Sequence, residues 1–340
     1  MGDIIHAFPV AAAIKKARPD VTVDWIAKDV FTELVKLSPH VDNVIPFCGD
    51  KWWKPSTITS VAGFLLGGVG GVRYDAVLDL QALFRSGLIT AFAQAPVKIG
   101  FSAAREFAGF FYNTKITPPP NVHAVDSLMS ALGGLGIPVD GAPAFDIAIP
   151  EEARSWAAKV TPESPFVVVN PNARWASKRW PLANFAALSK EIYRRSGALS
   201  VIVGGPDDVE RGEELARLIG PAATNLTGSG GFAWLAAVLQ RALLMITNDS
   251  GPMHLAVALG TPAVAMFGPT DPALVGPYGK GHTALKTTVD CSPCRNKQTC
   301  SRSIECMTKI TVEEALSAWE SASKSRDNSS KKWTSRFSGR

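Results

Sequence analysis

Residues 166–181 read Phe-Val-Val-Val-Asn-Pro-Asn-Ala-Arg-Trp-Ala-Ser-Lys-Arg-Trp-Pro. Phe166–Val169 is a continuous apolar run of the kind that fills strands buried on both faces of a parallel sheet. Asn170 to Trp180 is a polar connection, and Pro181 stands where the first residue of a helix belongs. Leu182, Phe185, Ala186, Ile192 and Tyr193 then share one stripe until Gly197 ends it. This strand–loop–helix unit recurs. Strands predicted at Leu199–Val203, Leu243–Thr247 and Ala263–Phe267 alternate with helices at Val209–Ile219, Phe232–Arg241 and Met253–Leu259. Such alternation belongs to an α/β fold with a parallel sheet, whose ligands bind at the carboxyl ends of the strands.

The first half shows the same alternation. Helices are predicted at Ile4–Ala17, Asp29–Leu37, Phe84–Ala93 and Ala124–Leu135, and extended segments at Val21–Ala27, Val41–Pro46, Ala76–Leu80 and Val97–Gly100. Pro138, Pro143, Pro150, Pro162 and Pro165 mark the boundary between halves. The organisation predicted is a Rossmann-like N-terminal domain over 1–150, a Rossmann-like C-terminal domain over 151–316, and a basic tail over 317–340. The two doubly wound domains are expected to face each other across a cleft. A doubly wound domain opens with a strand, yet this chain opens on the Gly2-Asp3 turn and its helix. The first strand of the N-terminal domain is therefore expected to be missing, with the true start upstream.

At 340 residues, 46% hydrophobic and 19% charged, the chain has ample material for buried cores and is no disordered polymer. Its most apolar stretch, Val61–Val72, is too short and too rich in glycine to span a membrane. The start lacks the basic region of a signal peptide, and five cysteines make no disulfide scaffold, so the compartment expected is the cytoplasm. Net charge is +5, but Lys324–Arg340 holds six basic residues against Asp327 alone, leaving 29 basic and 29 acidic residues in the rest. A neutral body with a basic tail excludes a nucleic-acid groove. The tail, with Trp333 and Phe337 among its cations, reads either as a solvated end or as a polybasic segment held on anionic lipid.

Three connections could carry chemistry. In Thr247-Asn-Asp-Ser-Gly-Pro-Met-His254, Asp249, Ser250 and Gly251 fall between a strand's end and a helix's start, where unpaired N–H groups favour an anion such as a diphosphate. His254 follows Ser250 by one turn; the alternative is an N-cap followed by a core histidine. In the loop 170–181, Lys178 and Arg179 flank a helix start, where a cation is disfavoured unless an anion joins it. Gly204-Gly-Pro-Asp-Asp208 offers an acid to a ribose hydroxyl, or an ordinary turn. In the first half, Asp3 opens a helix as a cap or as a general base. Arg85, Arg105 and His123 begin other elements and suit either solvent or an anionic acceptor. Cys291, Cys294, Cys300 and Cys306 match a structural zinc site in count but not in paired spacing, so a reduced or disulfide-bonded loop is the alternative. Cys48 is expected in the core.

Gly2-Asp-Ile-Ile-His-Ala-Phe-Pro9, Asp79-Leu-Gln81, Ser177-Lys-Arg-Trp-Pro181, Asn248-Asp-Ser-Gly-Pro-Met-His254 and Phe267-Gly-Pro-Thr-Asp-Pro272 together resemble glycosyltransferase family 9, the lipopolysaccharide heptosyltransferases. The resemblance runs in order from residue 2 to about 316. It implies a GT-B fold, with the donor in the C-terminal domain and the acceptor in the N-terminal one. It implies inverting transfer of L-glycero-D-manno-heptose from ADP-heptose to the lipopolysaccharide inner core (Kdo-lipid A or the first heptose), without cofactor or catalytic metal. Asp3 would then be the base and Lys178 the partner of the donor diphosphate. Ser177, Asp207, Asp249, Ser250, Gly251 and His254 would bind the donor, and Arg85, Arg105 and His123 the acceptor. Ser250 stands where the family often has Thr, and Ala173 and Arg174 where some members carry paired threonines. The partners implied are the donor, a glycolipid acceptor and an anionic membrane surface, the protein lying peripherally on the inner face of the inner membrane; no nucleic acid is expected. The alternatives are a non-catalytic or truncated sugar-nucleotide-binding protein of the same fold and a UDP-sugar epimerase.

Overall fold

Ile5 through Ala12 are all buried in the first helix, α1 (Gly2–Ala17). A helix apolar around its whole circumference must be enclosed by other elements. The computed structural model describes residues 1–47, 55–294, 300 and 302–330, so Cys48, Arg295, Lys297, Trp333 and Phe337 lie outside the described residues. Contacts divide the chain into two units, Asp3–Ala148 and Ile149 onward.

In the first unit α1 is followed by β1 (Asp24–Lys28), α2 (Thr32–Val35), β2 (Asn43–Phe47), α3 (Pro55–Gly63), β3 (Ala76–Leu78), α4 (Phe84–Phe92), β4 (Val97–Phe101), β5 (Thr114–Ile116) and α5 (Ala124–Met129). All pairings are parallel. β1 and β2 form one sheet and β3, β4 and β5 another, and among the described residues no ladder joins the two. The Tyr74 hydroxyl donates to Asp24 Oδ2 at 3.2 Å, tying the start of β1 to the segment that enters β3.

Several elements differ from expectation. The helix expected at Asp29–Leu37 is a 3-10 turn followed by the four residues of α2. The one expected at Ala124–Leu135 tightens into a 3-10 segment at Ser130. The glycine-rich stretch after α3 winds as a π-helix over Phe64–Val69. Gly100 in β4 is required by packing, because a Cβ there would stand 2.2 Å from the Tyr112 ring.

The second unit runs α6 (Glu151–Val160), β6 (Phe166–Asn170), α7 (Leu182–Ser196), β7 (Leu199–Ile202), α8 (Val209–Ile219), β8 (Ala223–Asn225), α9 (Phe232–Arg241), β9 (Met245–Asn248), α10 (Gly251–Ala258), β10 (Ala263–Phe267), α11 (Pro272–Val275), β11 (Thr283–Lys286), α12 (Glu305–Thr308) and α13 (Val312–Ser330). Its six parallel strands lie in the order β11-β10-β9-β6-β7-β8. That is the doubly wound order, with its switch point between β6 and β9. Every residue of β6 and β10 is buried, as their apolar runs require. Trp180 is wholly buried against Phe185, with its ring nitrogen donating to Ile310 O at 2.9 Å.

The tail is expected to begin at residue 317. Helix α13 runs through that point to Ser330, burying Ala315, Leu316, Ala318 and Trp319 in the core of the second unit. Among the described residues, no helix is long and apolar enough to cross a membrane.

Candidate active site

At the switch point, the last residue of β6 faces Thr247 of β9 across the ladder. Asn170 is 2% exposed and donates from Nδ2 to the Ser250 hydroxyl at 3.0 Å. The Thr247 and Ser250 hydroxyls are themselves 3.0 Å apart. Two neighbouring strands thus fix Ser250 at the mouth of α10, where it is the N-cap and Gly251 the first helical residue. Its side chain is turned to the strand ends rather than capping the helix, which leaves the helix-start N–H groups available to an anion.

The loop between β6 and α7 approaches the same place. Asn248 accepts from Trp180 N through Oδ1 and donates from Nδ2 to Pro171 O, both at 2.9 Å, so one side chain of β9 ties the two ends of that loop. Within it, Ala176–Lys178 makes a 3-10 turn that buries Ser177. Lys178 reaches Asp249 Oδ2 at 2.5 Å, with its ammonium 4.4 Å from the centre of the Trp175 ring. The Thr270 hydroxyl donates to the same carboxylate oxygen at 2.5 Å. The Lys178 and Asp249 side chains are 14% and 6% exposed, so the pair is held in a low-dielectric setting.

Lys178, Asp249, Ser250, Gly251 and, one turn further on, the buried His254 are therefore brought together. Asp207 is not among them: it is exposed in the 3-10 turn Pro206–Asp208 beyond β7. Ala173 and Arg174 offer no paired hydroxyls; the Ala173 carbonyl instead accepts from Arg179 Nε at 3.0 Å. Asn170, Thr247, Asn248 and Thr270 complete the arrangement without having been singled out from the sequence. Their contacts cross 68 to 80 positions for the asparagines and 21 for Thr270, which no local spacing reveals.

In the first unit, Asp3 is exposed in the first turn of α1. One turn later His6 is buried, its ring edge-on to that of His123 at 5.4 Å. Burial first, then His123 and the chain's amino terminus, push the His6 pKa down to about 3. His123 is the N-cap of α5, and its Nδ1 accepts from Val125 N at 3.2 Å. Arg85 lies in the first turn of α4, and Arg105 in an exposed turn whose backbone N donates to Ala82 O. Asp79 shapes both: one carboxylate oxygen accepts from Gln81 N and Ala82 N, the other from the Tyr112 hydroxyl at 2.6 Å.

The four late cysteines, considered above for a structural zinc, lie on either side of residues outside the described ones. Burial and the neighbouring Cys300, Cys291 and Cys294 raise the Cys306 thiol. Cys300 Sγ is taken up by Ile304 N at 3.4 Å, and among the described residues no three His, Cys, Asp or Glu side chains are gathered to hold a metal ion.

Chemically, the second unit offers an ammonium, three hydroxyls and helix-start amides at the carboxyl ends of its central strands, a set suited to a sugar nucleotide's diphosphate. Comparison with known proteins agrees. The family described as glycosyltransferase family 9 (heptosyltransferase) matches residues 65–304, well over half of the chain. Lipopolysaccharide heptosyltransferase 1 of Pseudomonas aeruginosa is 29% identical over 313 residues, covering 88% of this chain and 85% of that protein. Among solved structures, the glycosyl transferase family 9 protein of Veillonella parvula superposes with a TM-score of 0.79 at 24% identity, over 95% and 94% of the two chains. Escherichia coli heptosyltransferase WaaC with ADP superposes with a TM-score of 0.77 at 25% identity, over 95% and 97%.

Proposed function

From the premise that the chain belongs to glycosyltransferase family 9, and is a glycosyltransferase of GT-B fold, we propose that it transfers L-glycero-D-manno-heptose from ADP-heptose to the lipopolysaccharide inner core. The observation that supports the donor most is the convergence of Lys178, Asp249, Ser250 and the start of α10 at the switch point. The diphosphate lies against the helix-start amides and the Lys178 ammonium, with Ser177, Gly251 and His254 completing donor contacts. As the glycosidic bond to the phosphate oxygen breaks, negative charge grows on the departing ADP. Lys178 and the amides stabilise it, an effect of the oxyanion-hole kind.

Asp3 takes the proton of the acceptor hydroxyl as that oxygen attacks the anomeric carbon from the face opposite the diphosphate, inverting the centre. Arg85, Arg105 and His123 bind the anionic sugars of the acceptor. Since that acceptor is a glycolipid, the protein works in the cytoplasm against the inner face of the inner membrane, with its basic tail toward anionic headgroups.

The test is transfer from ADP-heptose to Kdo-lipid A and to the singly heptosylated core, followed by mass spectrometry of the product. A heptose-mass addition to one acceptor, lost in Asp3→Asn, is expected. Calorimetric binding of ADP-heptose with no transfer to either acceptor would leave only a donor-binding protein.

A further inference from the structure

Phe107 is 77% exposed and Phe110 is 81% exposed in the turn between β4 and β5, where their rings stack at 6.2 Å and 23°. Water-facing phenyl rings held against each other are unusual on a protein surface and mark an interaction site. The turn that carries them is firmly built. Arg105 N donates to Ala82 O and Phe110 N to Phe107 O, and Ala108 is wholly buried. Gly87 of α4 admits that packing, since a Cβ there would lie 3.0 Å from Ala108 Cβ and 2.7 Å from the Phe111 ring. Glu106 and Phe107 take left-handed backbone angles, φ 53° and 64°, which bulky side chains avoid.

The sequence around these rings is mainly basic. Between Asp79 and Asp126 the sequence carries Arg85, Lys98, Arg105 and Lys115 against Glu106 alone. Glu106 is exposed, and its carboxylate accepts from Phe84 N at 3.3 Å. Arg105 stands two residues before the rings, and Arg85 follows Phe84, which is 42% exposed on the packed helix α4. A stable protein interface buries above about 1,000 Å² in total, more than two or three phenyl rings supply. Hydrocarbon needs no such area, and aromatic side chains flanked by cations are the pattern of elements that dip into the headgroup boundary.

Resting on the proposed glycolipid acceptor, we infer that the turn Phe107–Phe110 is a membrane-insertion tip, burying its two rings in an anionic lipid bilayer while Arg85 and Arg105 stay at headgroup level for the acceptor's anionic sugars. This surface belongs to the first unit.

The test compares three full-length proteins, all with the native tail: the wild type, Phe107→Ser/Phe110→Ser, and Phe107→Leu/Phe110→Leu. Co-sedimentation with vesicles of phosphatidylethanolamine and phosphatidylglycerol at seven to three measures partition, and thermal melting checks the fold of each variant. The serine pair is expected to bind at least tenfold more weakly, the leucine pair within about threefold of wild type, and wild type to weaken on pure phosphatidylcholine. Equal partition of the serine pair and wild type would overturn the proposal, as would failure of the leucine pair to retain binding. ADP release on a deacylated, water-soluble acceptor is expected to be unchanged in all three, and its absence throughout would count against the transfer reaction alone.

Discussion

Lys178 and Asp249 form a buried ion pair at the strand ends, 2.5 Å from nitrogen to oxygen, although they stand 71 positions apart in sequence. A lysine so held is both aimed and partly neutralised before any ligand arrives. Lys178→Met is expected to lower kcat/KM by about 100- to 1,000-fold, the range for removal of one preorganised charge donor. It also strands the Asp249 carboxylate in the interior, at a cost of about 3–5 kcal/mol for breaking a buried pair on one side. Lys178→Met/Asp249→Asn should therefore melt higher than Lys178→Met alone. Denaturant unfolding of the wild type, the two single variants Lys178→Met and Asp249→Asn, and the double variant checks this, and strict additivity would refute the coupling.

The His6 pKa in the fold, about 3, lies well below the unfolded value of 6.5, so the native state binds fewer protons than the unfolded chain between those limits. Its contribution is whole above about pH 6.5 and drains away as pH falls toward 3, with a slope of at most about 1.4 kcal/mol per pH unit. Urea unfolding of the wild type is expected to show an additional loss of roughly 1–2 kcal/mol between pH 7 and pH 5 relative to His6→Leu. Parallel pH profiles for the two proteins would show that His6 is not the group responsible.

Tyr112 is held un-ionised by burial and by its bond to Asp79, and it satisfies one oxygen of a carboxylate only 5% exposed. Tyr112→Phe leaves that oxygen without its hydroxyl, at about 1–3 kcal/mol. Because Asp79 also fixes Gln81 and Ala82, the loop leading to Arg85 loosens. The acceptor KM should rise more than kcat falls, which steady-state kinetics at saturating donor would read.

Trp180 joins Phe185 of α7 and the Ile310 carbonyl through one fully buried side chain. Trp180→Ala is expected to cost about 3–5 kcal/mol, the usual penalty for removing a large core aromatic. A shift in the urea midpoint with unchanged m-value would confirm a loss confined to native packing.

The second unit was legible because its central strands are apolar runs long enough to be buried on both faces, as at Phe166–Val169 and Ala263–Phe267. The connection Asn248–His254 was legible for the same reason: it is the polar interruption directly after such a run. Strand β11 was not, since its residues are half-buried at a sheet edge and carry no continuous apolar signal. Helix α13 hid its buried Leu316 and Trp319 among serines and charges, so its sequence reads as the start of a tail. In the first unit, glycines between Phe64 and Gly71 blur any period, and the π-helix there repeats with neither 3.6 nor 2 residues. Asp3 and Lys178 were read from local context; Asn170 and Thr270 act only through partners that folding brings to them.

The Asn248 amide, engaged at both of its ends, keeps the connection after β6 from swinging as a gate. A wall cast in advance forfeits the freedom to mould itself around different guests. On the proposed donor reading, discrimination among nucleotide sugars would then rest on rigid shape and fixed charge, an unsuitable donor being turned away at arrival instead of trapped by a closing flap.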